Sequence, residues 1–177
     1  MYLRGFAVAG FVGVALCLIT MKPSQANELS MSDRNFLKEA AQAGHYEIES
    51  ANEALARSQD KQVQEFARMM LQEHERIDKE LNALAVAKDQ ALPTSASMMQ
   101  QGKVLLLKGK EGHEFDQYYA QHLAIKAHED AIELFEKQAK NGDDDEITGF
   151  AQDVLPLLKQ HLQHAQSLKN HVDSTKP

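Results

Sequence analysis

The chain has 177 residues and is acidic, with 26 Asp and Glu residues against 19 Lys and Arg residues and a net charge of -7 at pH 7. Recognition of nucleic acid or of anionic lipid requires clustered Lys and Arg, so this composition argues against both as partners. Divalent cations and basic proteins are compatible with the charge, and a protein of the cell envelope is a candidate partner.

The N-terminus has the pattern of a secretory signal peptide. Arg4 precedes an uncharged apolar run over residues 5–20, and the small residues Ser24 and Ala26 form a cleavage site. We expect cleavage after Ala26; the alternative is an uncleaved anchor, because the run is near the lower length for a membrane span. Cleavage of the signal peptide predicts a periplasmic or outer-membrane-associated protein without a further transmembrane segment.

The remaining residues, 27–177, are predicted to form one domain. The single cysteine, Cys17, lies inside the predicted signal peptide, so the mature domain would contain no disulfide and no thiol ligand. Removal of the signal would also take away Arg4 and Lys22 and bring the net charge to -9. About 150 residues suffice for a single hydrophobic core.

Four long amphipathic segments follow in chain order. The capping pattern of residues 30–33 predicts a helix that ends near Arg57, and apolar residues at steps of three and four predict a second helix over 60–89. A short helix is expected after Pro93, and further helices over 113–140 and from about 145 onward. Since no segment alternates with period two, we predict an all-α, antiparallel up-down-up-down four-helix bundle with an extra short helix in the middle connection.

The predicted inward sides of these helices carry titratable residues, which are costly to bury unless they pair or bind a metal. They are Glu47, His74, His122 with Glu129, and His161. The helical rise places Glu47 and His74 near one height together with Glu129 or His128. It places His122 and His161 one turn higher.

These residues support two interpretations of the interior. In the first, Glu47, His74, Glu129 and His161 hold iron, zinc or copper. In the second, they form a buried polar network, in which Glu47 pairs with His74 and His161 bonds to Tyr119 or to a carbonyl group. A standard di-iron centre needs a Glu-x-x-His motif on two helices, and the chain has none.

Three functions remain open at this stage. The first is a binding or structural protein that holds a metal ion. The second is a metal-dependent oxidoreductase or peroxide-handling enzyme with His122 or Tyr119 as proton donor. The third is an interaction module whose acidic faces contact a basic partner. The sequence has no nucleophile with an evident base, no phosphate-binding loop and no dinucleotide fingerprint, so no catalytic residue is assigned.

The chain resembles the bacterial proteins grouped as domain of unknown function 4142, which are described as predicted outer membrane proteins with ferritin-like bundles. The resemblance covers about residues 33–168. It rests on landmarks in all four helices: Phe36-Leu37, Glu47, Phe66-Ala67, Met70, Glu73-His74, Phe115-Asp116, Tyr119, His128, Leu134-Phe135-Glu136, Leu155-Pro156 and His161-Leu162. The resemblance implies a secreted helical bundle, with Glu47, His74, His128 and His161 as the residues to test.

Overall fold

A computed structural model describes residues 28–175; the predicted signal peptide, residues 1–26, lies outside this range. The described residues contain no β-strand and form a series of helical segments. These are α1 (Met31–Arg57), α2 (Lys61–Ala87), α3 (Met98–Lys108), α4 (Gly112–Tyr118), a π-helix (Tyr119–Ile125), α5 (Lys126–Asn141) and α6 (Asp145–Ser174). None of the helices in residues 28–175 combines the length and the apolar character needed to cross a bilayer.

Three of the long helices begin where the sequence supplies a side-chain cap. Ser30, Asp60 and Asp144 each accept a hydrogen bond from a backbone N–H of the first turn that follows. Such caps satisfy donors that have no partner within the helix. The predicted helix starts are therefore confirmed, as are the all-α class and the short helix in the middle connection.

Together, α4, the π-helix and α5 form the third long helix, whose direction differs from the predicted up-down-up-down order. Asp33, at the start of α1, accepts hydrogen bonds from Gln138 Nε2 at 2.6 Å and from the backbone of Asp143 and Asp144. Lys88, just after α2, pairs with Asp144 at 2.8 Å. The start of α1, the end of α2 and the α5–α6 turn thus share one end of the bundle, called here the Asp33 end.

The opposite end, called the Arg57 end, receives the chain after α3. Arg57 donates hydrogen bonds to the carbonyl groups of Lys108 and Lys110, at 2.6 and 2.8 Å. The connection through α3 therefore crosses from the Asp33 end to the Arg57 end, and α4 starts there. As a result, the third long helix runs parallel to α2, the arrangement of ferritin-like bundles with one long crossover.

The third long helix contains a π-helical stretch between α4 and α5. The backbone N–H of Lys126 donates to the carbonyl of Gln121, five residues earlier instead of four. Each such turn takes up one residue more than an α-helical turn. The side chains that follow are therefore rotated relative to the positions that a uniform 3.6-residue period predicts.

We expect Asp33→Ala to destabilise the fold by about 2–4 kcal/mol, because it leaves the buried Gln138 amide and two backbone N–H groups without their charged acceptor. Urea unfolding measures the change. The exposed Asp153→Ala is the matched control and should change stability by less than about 0.5 kcal/mol. Equal effects of the two variants would contradict the proposed role of Asp33.

Candidate metal centre

One polar residue from each long helix lies in a single layer across the bundle. Glu47 of α1, His74 of α2, His128 of α5 and His161 of α6 are all buried, with exposed fractions of 5, 2, 1 and 1%. The layer separates two apolar clusters of the core. The cluster at the Asp33 end includes Phe36, Leu81, Phe135 and Leu158, and the cluster at the Arg57 end includes Ala54, Phe66, Tyr119 and Leu168.

The crossover explains why four residues share this layer. At 1.5 Å per residue, Glu47 and His74 lie about 17 and 21 Å from the Arg57 end. Because the third helix starts at that end, His128 lies about 24 Å from it, and α6 returns to bring His161 to about 20 Å. The prediction that His161 lies one turn above the others assumed the opposite direction for the third helix, and it was wrong.

Nitrogen atoms of the three imidazoles converge within this layer. His128 Nε2 lies 3.4 Å from His74 Nε2 and 3.2 Å from His161 Nδ1. One ring nitrogen from each histidine can be chosen so that all three lie within 4.8 Å of one another. Donor atoms around a tetrahedral zinc ion at 2.0–2.1 Å lie about 3.3 Å apart. The distances from His128 Nε2 to the other two imidazoles therefore match the donor spacing around a metal ion of this size.

The other ring nitrogen of each histidine has a hydrogen-bond acceptor. His128 Nδ1 lies 2.7 Å from the carbonyl oxygen of Ala124, and His161 Nε2 lies 2.5 Å from the carboxylate of Glu73. His74 Nδ1 lies 3.0 Å from Glu47 Oε2. Histidines that bind metals typically donate their second ring N–H to a carbonyl or carboxylate in this way, which fixes the tautomer and the ring orientation.

These partners determine where the ring protons lie on two of the histidines. A carbonyl or carboxylate oxygen only accepts, so neutral His128 carries its proton on Nδ1 and neutral His161 carries its proton on Nε2. The facing nitrogens, His128 Nε2 and His161 Nδ1, then both present lone pairs across 3.2 Å. Two acceptors at this distance repel each other unless a cation or an additional proton lies between them.

Burial keeps the cluster electrically neutral in the absence of a metal ion. Burial lowers the pKa of His128 to about 4, with a further contribution from the charge of His161. Burial also lowers the pKa of His74 and, partly offset by Glu73, that of His161. In the opposite direction, burial raises the pKa of Glu47 to about 8. At pH 7 the layer therefore contains neutral imidazoles and a protonated carboxyl group.

Glu47 also has an oxygen without a partner. Its Oε1 is buried and makes no hydrogen bond, although it lies 3.4 Å from His128 Nε2. Buried polar atoms are nearly always paired, so an unpaired oxygen beside the facing nitrogen of His128 fits the position of a fourth metal donor. The donor set of the layer is therefore three nitrogens and one carboxylate.

The sequence-predicted residues do not all reach this layer. Glu129 lies on the outer face of α5, where its side chain is 48% exposed and 3.7 Å from Lys126, and His122 is also exposed. Both were expected inward on an uninterrupted α-helical period. The π-helix rotates this part of the third helix, so that His128 faces the interior where Glu129 was expected.

Glu73 contacts the site, although no pattern in the sequence predicted it as a site residue. It precedes His74, and adjacent residues on a helix point about 100° apart, which directs Glu73 toward α6. The expected bond from His161 to Tyr119 or a carbonyl is replaced by this bond to Glu73. An acid next to an inward histidine was the available signal, but only the packing of α2 against α6 identifies its partner.

Solved structures show where this fold occurs elsewhere. The chain is similar to CopM in its Cu(II)-bound form, with a TM-score of 0.66, 15% identity, and coverage of 78% of this chain and 96% of that chain. For CopM in the Ag-bound form, obtained by soaking, the values are 0.64, 16%, 78% and 95%. At these identities the similarity concerns the fold.

A conserved hypothetical protein from Mycobacterium tuberculosis, rv2844, is also similar, with a TM-score of 0.63, 16% identity, and coverage of 82% of this chain and 93% of that chain. No curated protein matches the sequence significantly. The family model described as a domain of unknown function, DUF4142, matches residues 19–168, which is most of the chain. The chain therefore belongs to the DUF4142 family.

Proposed function

We propose that this protein binds one transition-metal ion inside its helical bundle through His74, His128 and His161, with Glu47 as the fourth donor. The supporting observation is the pair of facing nitrogens, His128 Nε2 and His161 Nδ1, which lie 3.2 Å apart while their protons are held on the opposite ring positions. A cation between them removes the repulsion of the lone pairs. A polar network without metal relieves it only if an additional proton lies between the two nitrogens.

The donor set favours Cu(II) or Zn²⁺. Imidazole binds zinc, copper, nickel and iron, and among divalent ions of the first row Cu(II) binds such donors most tightly. Iron centres of ferritin-like bundles use several carboxylates, whereas this layer contains one. The fold is similar to that of CopM in its Cu(II)-bound and Ag-bound forms, which agrees with copper.

The burial of the site supports binding over catalysis. All three histidines are at most 2% exposed, and Glu47 supplies a fourth donor. Catalytic zinc sites keep one coordination position for water or substrate, whereas closed four-donor sites are typical of structural metal ions. We therefore favour a protein that retains its ion, and the signal-peptide pattern of residues 1–26 supports its placement in the cell envelope.

The first prediction concerns stoichiometry. Protein purified without an affinity tag or chelator should bind one Cu(II) or Zn²⁺ per chain, as measured by elemental analysis and calorimetric titration. We expect His128→Ala to weaken binding by at least about 100-fold, because it removes the central donor. His122→Ala and Glu129→Ala are matched controls on the same helix, since both residues lie at the surface, and neither should change the affinity.

The outcomes separate the two interpretations of the layer. Binding that is lost in His128→Ala and kept in both controls supports a metal centre. A wild-type protein that binds neither ion, and whose His128→Ala variant changes only the free energy of unfolding, would contradict the proposed function and leave a polar network.

A second prediction concerns Glu73, which holds His161 through its outer nitrogen. Glu73→Ala should lower metal affinity by about 10–100-fold, the usual effect of removing a partner that orients a metal-binding histidine. Glu75 is exposed and lies two residues away, so Glu75→Ala makes the same charge change and should leave the metal affinity unchanged. Calorimetric titration measures both, and equal affinities would show that Glu73 does not orient the ligand.

A third prediction concerns pH. Burial raises the pKa of Glu47 to about 8 in the metal-free protein, so below pH 8 the ion must displace its proton. The histidines, whose pKa values are lowered, are already neutral above pH 6.5. Affinity should therefore rise about tenfold per pH unit from 6.5 to 8 and fall as the solution becomes more acidic.

Calorimetry in two buffers of different ionisation enthalpy gives the number of protons released. We expect about one proton per ion at pH 7 in the wild type and none in Glu47→Gln, which has no proton to lose. Equal proton release by the two proteins would show that Glu47 is not the titrating group.

A further inference from the structure

A cavity of about 420 Å³ reaches the buried layer from one side of the bundle. Its wall consists of residues from α1, α3 and α5, among them Glu39, Tyr46, Glu47, Met99, Lys103 and Asp130. Glu47 thus belongs both to the polar layer and to the cavity wall. The unpaired Oε1 of this carboxyl group gives the layer a donor that is not already engaged by a hydrogen bond.

The outer wall of the cavity is the crossover helix α3. Met99, which lines the cavity, has 76% of its surface exposed. Lys103 Nζ lies 5.9 Å from the centre of the Tyr46 ring. Glu39 and Asp130, which are both exposed, also line the cavity, and Asp130 pairs with Lys126 at 2.8 Å.

We propose that this cavity is the route by which a divalent metal ion enters and leaves the centre. This proposal rests on the metal function proposed above. Glu47 receives the ion on the cavity side and passes it to the three histidines. The alternative route passes Glu73, which is 32% exposed. That route is blocked by the ring of His161, because Glu73 bonds to its outer nitrogen while the inner nitrogen faces the layer.

A kinetic experiment separates this route from the existence of the site. Ala43 is half-buried and lines the cavity, so Ala43→Leu narrows it without altering a donor atom. Stopped-flow uptake of Zn²⁺, followed with a chromophoric chelator, and removal of Zn²⁺ by excess EDTA should both slow by about tenfold or more, while the equilibrium affinity changes by less than about threefold. Ala139→Leu is the control, because Ala139 is a half-buried helical alanine that does not line this cavity.

A charge variant tests the same route through an expected increase in the rate of Zn²⁺ uptake. Lys103→Gln removes an ammonium group from the cavity wall and should speed Zn²⁺ entry by about threefold or more at low ionic strength, an effect that salt suppresses. Lys108→Gln makes the same charge change on α3 outside this cavity and should leave the rate unchanged, since Lys108 pairs with Glu49 and Glu53 instead.

The possible failures are distinct. A wild-type protein that takes up no Zn²⁺ overturns the proposed function and with it the route. Normal binding with equal rates for Ala43→Leu and Ala139→Leu overturns the route alone. Faster exchange in Glu73→Ala, with no effect of Ala43→Leu, assigns entry to the Glu73 side and also overturns the cavity proposal.

Discussion

The central constraint on this protein is the burial of three imidazoles and a carboxyl group in one layer of an otherwise apolar core. Desolvation penalises every charged form, and it keeps the histidines neutral and Glu47 protonated. The protons that remain are held on the outer nitrogens of His128 and His161 by Ala124 and Glu73. The inner nitrogens therefore face each other with lone pairs only. The arrangement is costly without a cation or an additional proton between these nitrogens, and it is the basis of the metal binding that we propose.

The rest of the fold positions this layer. The caps at Ser30, Asp60 and Asp144 fix where three helices begin, and the crossover through α3 sets the direction of the third long helix. Apolar clusters on both sides hold the four helices in register, so that the polar residues meet at one height. The π-helix then turns His128 toward the centre. Such insertions cost regular hydrogen bonding and are frequent at functional sites.

Much of this could be predicted from the sequence, because amphipathic period and capping residues are local signals. The helices, their approximate ends, and the inward positions of Glu47, His74 and His161 follow from them. The third helix was predicted less well, since a uniform period does not reveal a π-helical turn, and Glu129 and His122 were placed inside as a result. The family resemblance pointed to His128 where the periodicity did not. The crossover direction and the contact of Glu73 with His161 depend on tertiary packing, which no local pattern encodes.

The most direct test of this account is the tautomeric state of the histidines, measured by ¹⁵N–¹H NMR of the metal-free protein at pH 7 and again after one equivalent of Zn²⁺. We expect neutral rings, with the proton of His128 on Nδ1 and that of His161 on Nε2, and a change in the signals of the two bare nitrogens when zinc is added. A proton found between His128 Nε2 and His161 Nδ1, together with ¹⁵N signals that zinc leaves unchanged, would contradict the account. It would identify the layer as a polar network that needs no ion.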